Sequence, residues 1–257
     1  MNSRTALVTG ASRGLGRGIA IGLGAAGWTV WVTGRSTRAH TTSHLPGTVE
    51  ETAGAVTEAG GLGVVASCDH RDDNEVRAII SRMGRLDLLV NNVWAGYERL
   101  NAGGWPEWSA PFWEQPIELW DAMFHGGVRA HYVTTALCAP LLRASPRALV
   151  VTVSVAQTPS MPVAYSVAKA ADDQLAEAIA DALAQDGVAS VALHPGLVRT
   201  EGVMQFAEHL DLTGSQSPEG VGRVVAALAA NENLMSHNGR ALLVADLAQL
   251  YGIDVTT

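Results

Sequence analysis

The sequence has few cysteines, little charge and no long apolar run. Two of its 257 residues are cysteine, Cys68 and Cys138. Their spacing fits neither a metal site nor a disulfide framework, so we expect two buried thiols and no metal. No stretch approaches about 20 unbroken apolar residues, which argues against a membrane span. The apolar run at residues 5–10 is too short for a secretion signal. These absences predict a soluble, cytoplasmic protein.

Positive charge is scarce as well. The 17 basic residues are outnumbered by 25 acidic ones, and the formal net charge is −8. Such a balance argues against a nucleic-acid-binding surface. Hydrophobic residues make up 47% of the chain and glycines number 27, a composition that suits α/β layers with buried strands. One domain covering residues 1–257 is long enough to bury a large core.

Strand-like apolar runs alternate with helical segments along the whole chain. We predict strands at residues 4–9, 28–33, 62–67, 86–90, 147–153, 188–193 and 241–245. We predict helices at residues 17–26, 48–59, 72–83, 116–142, 163–185 and 218–230. This alternation favours an α/β protein with a single Rossmann-type, doubly wound parallel sheet of about seven strands flanked by helices.

A glycine-rich loop joins the first predicted strand to the first predicted helix. Its sequence, TGASRGLG, occupies residues 9–16. In such a junction Gly10 permits the tight turn, Gly14 lets the backbone approach a pyrophosphate, and Gly16 lets the helix pack on the strand. The loop therefore predicts a dinucleotide whose phosphates lie at the N-terminus of the helix.

The end of the second strand indicates which dinucleotide is preferred. NAD-binding folds usually have an acidic residue there, but this chain has Gly34 followed by Arg35. Arg35 could bind a 2′-phosphate through forked hydrogen bonds, and Arg13 in the glycine loop could reach the same group. We therefore predict NADP(H). The alternative is that both arginines are ordinary surface residues.

Polar residues follow several other strands. Asp69 ends the third strand, where it could meet the adenine edge of a cofactor, and the amides of Asn91 and Asn92 could bridge neighbouring strands. After the sixth strand, Thr200 and the backbone beyond Pro195 could bracket a nicotinamide carboxamide. We thus expect the cofactor along the carboxyl edge of the sheet.

Two irregular segments border this predicted site. Residues 93–115 form an aromatic-rich insertion without predicted secondary structure that contains Trp94, Trp105, Trp108 and Trp113. Its rings could wall an apolar pocket, or they could simply pin the insertion to the core. Residues 197–217 are polar and irregular, which is typical of a mobile lid.

Ser154, Tyr165 and Lys169 are the predicted catalytic residues. On a helix, Tyr165 and Lys169 stand four positions apart and share one face. A neighbouring ammonium lowers the pKa of a phenol, so Tyr165 could exchange protons near neutral pH. Ser154, at the end of the fifth strand, could hold the oxygen of the reacting group. Considered alone, the Tyr–Lys pair is a common chance match and fits a surface feature of a helix better than a catalytic pair.

Taken together, these motifs resemble the short-chain dehydrogenase/reductase family over nearly the whole chain. The matching pieces are TGASRGLG at 9–16, Cys68-Asp69, Asn91-Asn92, Ser154, YSVAK at 165–169, and Pro195-Gly196-x-Val198-x-Thr200. The resemblance implies NADP(H)-linked interconversion of a carbonyl and an alcohol on an apolar small molecule. It also implies a homodimer or homotetramer assembled through the helices at about 117–142 and 163–185.

The resemblance assigns roles to individual residues. Tyr165 is the expected general acid, Ser154 positions the carbonyl oxygen, and Lys169 binds the ribose hydroxyls and tunes Tyr165. The expected cofactor-binding residues are Gly10, Ser12, Arg13, Gly14, Leu15, Gly16, Arg35, Asp69, Asn91, Tyr165, Lys169, Pro195, Gly196, Val198 and Thr200.

Three positions depart from the family pattern. Gly127 aligns with the usual active-site Asn, Trp94 lengthens the motif after Asn91-Asn92, and Asp246-Leu247 replaces a common Gly-Gly. We expect the nearby His125, Arg129 and His131 to face solvent or a partner subunit. Two other functions stay open: a cofactor-binding sensor with little catalysis, and non-redox dehydration or isomerisation in the same site.

Overall fold

Seven parallel strands form one sheet, as the sequence predicts. The computed structural model describes residues 4–158 and 161–257, without the side chains at 99–103 and 105. The strands are β1 Thr5–Val8, β2 Thr29–Gly34, β3 Leu62–Ser67, β4 Leu88–Asn91, β5 Ala148–Val153, β6 Val188–His194 and β7 Ala241–Leu243. Their order is β3-β2-β1-β4-β5-β6-β7. The order reverses between β1 and β4, which opens a crevice at the carboxyl ends of these strands.

Helices cover both faces of the sheet. They are α1 Gly14–Ala25, α2 Val49–Glu58, α3 Asp73–Ile80, α4 Gly96–Ser109, α5 Ile117–Met123, α6 Ala130–Ala144, α7 Val163–Leu183, α8 Glu201–Met204, α9 Pro218–Ala230 and α10 Val244–Tyr251. Among the helices described, none combines the length and hydropathy needed to cross a bilayer.

Alternation along the strands divides the core into two layers. Ala6 and Val8 of β1 pack with apolar residues of α2 and α9, whereas Leu7 packs on the other face with Cys138 and Leu142 of α6. This period of two is the expected result of burying a strand on both faces. Cys68 and Cys138 are buried free thiols, which confirms that prediction.

Helices α1 and α9 approach each other through glycine. A Cβ atom built on Gly22 of α1 would lie 2.4 Å from the carbonyl carbon of Gly222 in α9. Both partners at this point are backbone, so neither can move aside as a side chain would. The pairing holds the helix after the glycine loop against the C-terminal part of the chain.

We expect Gly22→Ala to destabilise the fold and Gly54→Ala to stabilise it. The new methyl at Gly22 overpacks the α1–α9 contact, at a cost of about 1–2 kcal/mol. Gly54 lies inside α2 with nothing within 4 Å of its built Cβ, so alanine there should add about 0.5–1 kcal/mol. Urea denaturation followed by circular dichroism measures both free energies of unfolding. Equal stabilities for the two variants would contradict this packing.

Some segments predicted to be irregular contain helices, and one helix predicted to be continuous is divided. The insertion at 93–115 contains α4, whose two halves meet at a kink where Gly104 has a φ of 73°. Residues 246–251, predicted as tail, belong to α10, and the predicted lid contains α8. The helix predicted at 116–142 is divided into α5, a π-helical turn at Phe124–Arg129, and α6. That turn contains Gly126, whose built Cβ would lie 2.4 Å from the Cβ of Ala95.

Candidate active site

The predicted site residues gather at the carboxyl edge of the sheet. The glycine loop follows β1, Asn91 ends β4, and Ser154 follows β5. Tyr165 and Lys169 lie on the first turns of α7. This is the edge at which open α/β sheets bind their ligands.

The glycine loop has the geometry that its sequence predicts. Gly10 and Gly14 have φ values of 64° and 58°, in the left-handed region that favours glycine. A Cβ on Gly16 would lie 2.4 Å from Nδ2 of Asn92. The Gly14 N–H donates to a carboxylate oxygen of Glu201 at 2.9 Å. A carboxylate at the first residue of the 12-residue helix α1 indicates that this junction accepts an anion, as a cofactor pyrophosphate requires.

The two asparagines at the carboxyl end of β4 have different roles. Asn92 Nδ2 donates to the carbonyl oxygens of Thr9 and Gly10, and so makes the bridge between neighbouring strands. Asn91 instead donates to the hydroxyl of Thr135 at 2.9 Å. Its Oδ1 is buried and has no partner among the described residues. A buried acceptor without a donor is costly, so Asn91 fits a site completed by a bound polar group.

The two arginines have partners within the chain. Arg13 donates to the Ser36 hydroxyl at 2.8 Å and to the Gly47 carbonyl at 3.0 Å, which fastens the loop before α2. Arg35 forms an ion pair with Glu98 of α4 and lies 3.9 Å from Asp69. The sequence shows no acidic partner beside Arg35, because Glu98 is 63 positions away in the chain.

Asp69 lies between two arginines. Arg71 binds both of its carboxylate oxygens, at 2.6 Å for the shortest contact. Burial acts to raise the pKa of Asp69, but the hydrogen bonds and charge of Arg71 outweigh it and hold the pKa below its usual value. Asp69 is therefore a carboxylate acceptor at the end of β3. A small cavity of about 20 Å³ is lined by Asp69 and Arg71 together with Trp94 and Glu98.

The segment after β6 approaches the glycine loop. Gly196 has a φ of 71°, and Val198 is buried and bridges to Gln216. Thr200 caps α8 by accepting from the Val203 N–H at 3.2 Å. The Thr200 side chain lies 3.5 Å from the built Cβ of Gly14. The predicted lid thus contacts the loop expected to hold phosphate.

Ser154, Tyr165 and Lys169 are brought together. The Ser154 hydroxyl donates to the backbone carbonyl of Lys169 at 2.9 Å. The hydroxyl groups of Tyr165 and Tyr97 form a hydrogen bond of 2.9 Å. Tyr97 lies in the aromatic insertion, and only the fold reveals its contact with Tyr165.

Aromatic rings enclose Tyr165. The ring centroids of Trp94 and Trp108 lie 5.8 and 5.3 Å from its own. Phe112 and Trp113 of the same insertion are exposed. Trp94 and Trp108 therefore border the site, whereas the exposed rings of Phe112 and Trp113 do not pin the insertion to the core. The side chain of Trp105 lies outside the described residues.

The prediction that Lys169 lowers the pKa of Tyr165 is wrong. Burial raises this pKa well above the ordinary value of 10.0, and Tyr97 and Asp172 raise it further. The spacing correctly puts both residues on one face of α7, but the Lys169 ammonium has other neighbours. It donates to the Val153 carbonyl at 3.0 Å and to Asp172 at 3.1 Å.

The ammonium of Lys169 also lies 3.6 Å from the centroid of the Trp94 ring, a cation–π contact. Burial lowers the pKa of Lys169, and Asp172 opposes that shift. Asp172 was not singled out in the sequence. Its signal was available, since it stands three positions after Lys169 on the same helix.

Gly127 and Trp94, two departures from the family pattern, are in direct contact and have one packing explanation. A Cβ on Gly127 would lie 2.5 Å from Cζ3 of Trp94. The indole therefore takes the space that a side chain at position 127 would need. Glycine at 127 and tryptophan at 94 require each other in this arrangement.

The residues near Gly127 have separate environments. Arg129 pairs with Asp73 at 2.8 Å, and His125 is exposed. The expectation that His131 faces solvent or a partner is wrong, because His131 is buried and 2.8 Å from Asp172. A signal existed, since His131 lies on the same helical face as Cys138 and Leu142, both apolar.

Comparison with known proteins identifies the family of this chain. The short chain dehydrogenase family model matches residues 4–211. The mouse and human proteins called dehydrogenase/reductase SDR family member 1 are 37% and 35% identical, over 98% of this chain and 83% of theirs. The crystal structure of a putative dehydrogenase from Xanthomonas campestris superposes with a TM-score of 0.83 at 26% identity, covering 97% of this chain and 90% of the other.

Proposed function

This chain belongs to the short-chain dehydrogenase/reductase family, and on that premise we propose that it is an NADP(H)-dependent oxidoreductase interconverting a carbonyl and an alcohol on an apolar small molecule. The observation that carries the proposal is the juxtaposition of Ser154, Tyr165 and Lys169 at the carboxyl edge of the sheet. The ring of Tyr165 there lies against those of Trp94 and Trp108. Apolar walls around one polar group are typical of a small-molecule site.

In reduction, each of the three catalytic residues has a separate role. The nicotinamide cofactor supplies the hydride when bound. Tyr165 donates its hydroxyl proton to the carbonyl oxygen of the substrate, and Ser154 hydrogen-bonds that oxygen. Because burial raises the pKa of Tyr165, the phenol is protonated before the reaction, as an acid must be. Lys169 binds the ribose hydroxyls and supplies positive charge beside the phenolate that forms.

The cofactor would lie along the carboxyl edge. The residues proposed to hold it are Gly10, Ser12, Arg13, Gly14, Leu15, Gly16, Arg35, Asp69, Asn91, Pro195, Gly196, Val198 and Thr200, together with Tyr165 and Lys169. The Oδ1 of Asn91, which has no partner among the described residues, supports an occupant with a hydrogen-bond donor. The carboxylate of Glu201 at the Gly14 N–H supports an anionic group at the glycine loop. Preference for NADP(H) is supported by Arg35 and Arg13. Each arginine has protein partners with which a 2′-phosphate would compete.

The direct test is a panel of aldehydes and ketones offered with NADPH and with NADH. Substrate-dependent NADPH oxidation that is much faster than NADH oxidation supports the proposal. Equal rates with the two cofactors would refute the preference for NADP(H). The absence of turnover across the panel would favour a cofactor-binding sensor instead.

Arg35→Ala should lower kcat/KM with NADPH by about 10- to 100-fold and leave the value with NADH almost unchanged. A hydrogen bond to a charged group contributes about 1.5–3 kcal/mol, and only NADPH has the 2′-phosphate. Arg38→Ala is the matched control, because Arg38 is an exposed arginine three positions away. Steady-state kinetics with both cofactors measure the effect. An equal loss with NADPH and NADH would show that Arg35 does not recognise the phosphate.

We also propose that the protein forms a homodimer or homotetramer. An open groove of about 810 Å³ lies between α7 and the segment running from α5 to α6. Phe124, Val128, Tyr132 and Leu175 line it, and Tyr132 is 60% exposed. These are the helices through which the family resemblance implies assembly.

A further inference from the structure

A buried chain of ionisable groups runs behind Lys169. The Lys169 ammonium donates to Oδ2 of Asp172 at 3.1 Å, and Oδ1 of Asp172 lies 2.8 Å from Nδ1 of His131. Nε2 of His131 lies 2.8 Å from the carbonyl oxygen of Val93. Lys169, Asp172 and His131 are 5%, 0% and 1% exposed. Burial of three ionisable side chains is costly unless each is paired, and here each one is.

The hydrogen bonds determine where the protons lie. A carbonyl oxygen only accepts, so Nε2 of His131 must carry a proton to bond Val93. Nδ1 faces a carboxyl oxygen, so a second proton lies between His131 and Asp172. The opposite charges of His131 and Lys169 outweigh burial and hold the pKa of Asp172 below its usual value. Asp172 is therefore a carboxylate that accepts from Lys169 through one oxygen and is held by His131 through the other.

This arrangement fixes the ammonium in one position. Lys169 has three protons, and two of them are directed to Val153 and Asp172, while the Trp94 ring covers it at 3.6 Å. Asp172 itself cannot swing away, because His131 holds its other oxygen from α6. The family position that would otherwise support this region is Gly127, which has no side chain.

We propose that Asp172 is a positioning residue that holds the Lys169 ammonium in place as a charged group, and that His131 anchors Asp172 by a hydrogen bond from α6. This inference rests on the proposed function, in which Lys169 binds the cofactor ribose and assists Tyr165. It adds two residues that act through Lys169 and do not touch the reacting atoms.

Other charged or titratable groups lie around Lys169, Asp172 and His131 and also influence the titration of Lys169. Asp173 pairs with His194 at 2.9 Å and contributes a weaker negative charge near Lys169. His70 lies near His131, but burial lowers its pKa to about 4, so it is neutral. The groups that face Lys169, Asp172 and His131 from the elements packed around them are Tyr165, Asp173, His194 and His70.

The charge of Lys169 can be observed selectively, because Lys169 is the only lysine in the sequence. In protein labelled with lysine carrying ¹³C at Cε, one side-chain signal reports the Lys169 charge without cofactor or turnover. Asp172→Asn is close to isosteric: its amide oxygen can accept from Lys169, and its NH₂ can donate to Nδ1 of a neutral His131. We expect the titration midpoint of Lys169 to fall by about one pH unit, since a neighbouring opposite charge is worth about 1–3 units.

Two further variants give a weaker test and a matched control. His131→Gln keeps the Asp172 carboxylate but removes the ring nitrogen that holds its Oδ1, so the Lys169 midpoint should fall as in Asp172→Asn, but by less. Asp173→Asn removes a carboxylate from the same helix, yet it should shift the midpoint far less than Asp172→Asn does. A wild-type midpoint in Asp172→Asn would overturn the role of Asp172, and an unchanged midpoint in His131→Gln would overturn the anchoring role of His131. If Asp172→Asn fails to fold, His131→Gln decides alone.

Kinetics then test the link to catalysis. With NADPH and a carbonyl substrate, Asp172→Asn should lower kcat by about 10- to 100-fold at neutral pH, the effect of a misplaced group. The loss should grow as the pH rises through the Lys169 midpoint measured by NMR, because the variant loses its ammonium at a lower pH than the wild type does. Asp172→Glu, which restores a carboxylate, should recover part of kcat. A loss independent of pH would contradict the proposal. If the wild type turned over no carbonyl, the proposed function would fail while the NMR result stood.

Discussion

Tyr165→Phe should lower kcat/KM for NADPH-dependent reduction by about 10²- to 10⁴-fold and leave the Kd for NADPH nearly unchanged. That range is the usual contribution of a well-placed general acid. Phenylalanine keeps the ring between Trp94 and Trp108 and removes only the hydroxyl that gives the proton. NADPH oxidation measures the first quantity, and fluorescence titration of the cofactor measures the second.

Tyr97→Phe is the matched control for this substitution. It removes the other hydroxyl of the same 2.9 Å hydrogen bond and leaves Tyr165 intact. We expect a much smaller loss of kcat/KM in Tyr97→Phe than in Tyr165→Phe. If the two variants lost activity equally, or if Tyr165→Phe stayed fully active, the acid would be misassigned.

The raised pKa of Tyr165 predicts a pH dependence for the cofactor-free protein. An acid whose pKa is raised stays protonated to higher pH, so no phenolate of Tyr165 should form below the ordinary phenol value of 10.0. The difference between the ultraviolet titrations of wild type and Tyr165→Phe isolates this one residue. A Tyr165-dependent phenolate signal near neutral pH would show that Lys169 lowers the pKa after all.

The second large effect concerns Gly127. Gly127→Asn, which introduces the residue usual in the family, should destabilise the protein by about 3 kcal/mol and reduce turnover. Its Cβ would lie 2.5 Å from Trp94, and overpacking of this kind costs about 1–3 kcal/mol or more. Displacing Trp94 also removes the ring that covers Lys169. Urea denaturation measures the loss, with Gly84→Asn as control because nothing lies within 4 Å of a Cβ there.

A double-mutant cycle separates this explanation from a general effect of asparagine. In Trp94→Ala the space beside position 127 is open, so Gly127→Asn should cost much less in that background. Residues in contact couple by about 0.5–3 kcal/mol, whereas independent sites add within about 0.5 kcal/mol. Additive free energies for Trp94 and Gly127 would refute their mutual requirement.

The sheet and the glycine loop were predictable because their signals are local. Each strand is a short apolar run, and the positive φ values of Gly10 and Gly14 follow from where glycine stands in TGASRGLG. Ser154, Tyr165 and Lys169 could be singled out only because the motifs occur together and in the order of the family, since the Tyr–Lys pair alone is a weak signal.

The electrostatics of the site were not predictable, because they depend on residues distant in the chain. Arg35 meets Glu98 across 63 positions, and Tyr165 meets Tyr97 across 68. His131 meets Asp172 across 41. Spacing places Lys169 beside Tyr165 but does not give the direction of its ammonium, which depends on Asp172 and Trp94. The mistaken pKa of Tyr165 has this physical origin.

Transfer of deuterium from NADPH to product tests the central claim most directly. NADPH deuterated at its transferable hydrogen would be incubated with the wild-type enzyme and an apolar ketone that it consumes. Mass spectrometry of the product would measure the label. Hydride transfer at this site predicts one deuterium in each alcohol formed, one NADPH oxidised per alcohol, and neither event in Tyr165→Phe. Consumption of the substrate without label in the product and without net NADPH oxidation would contradict it.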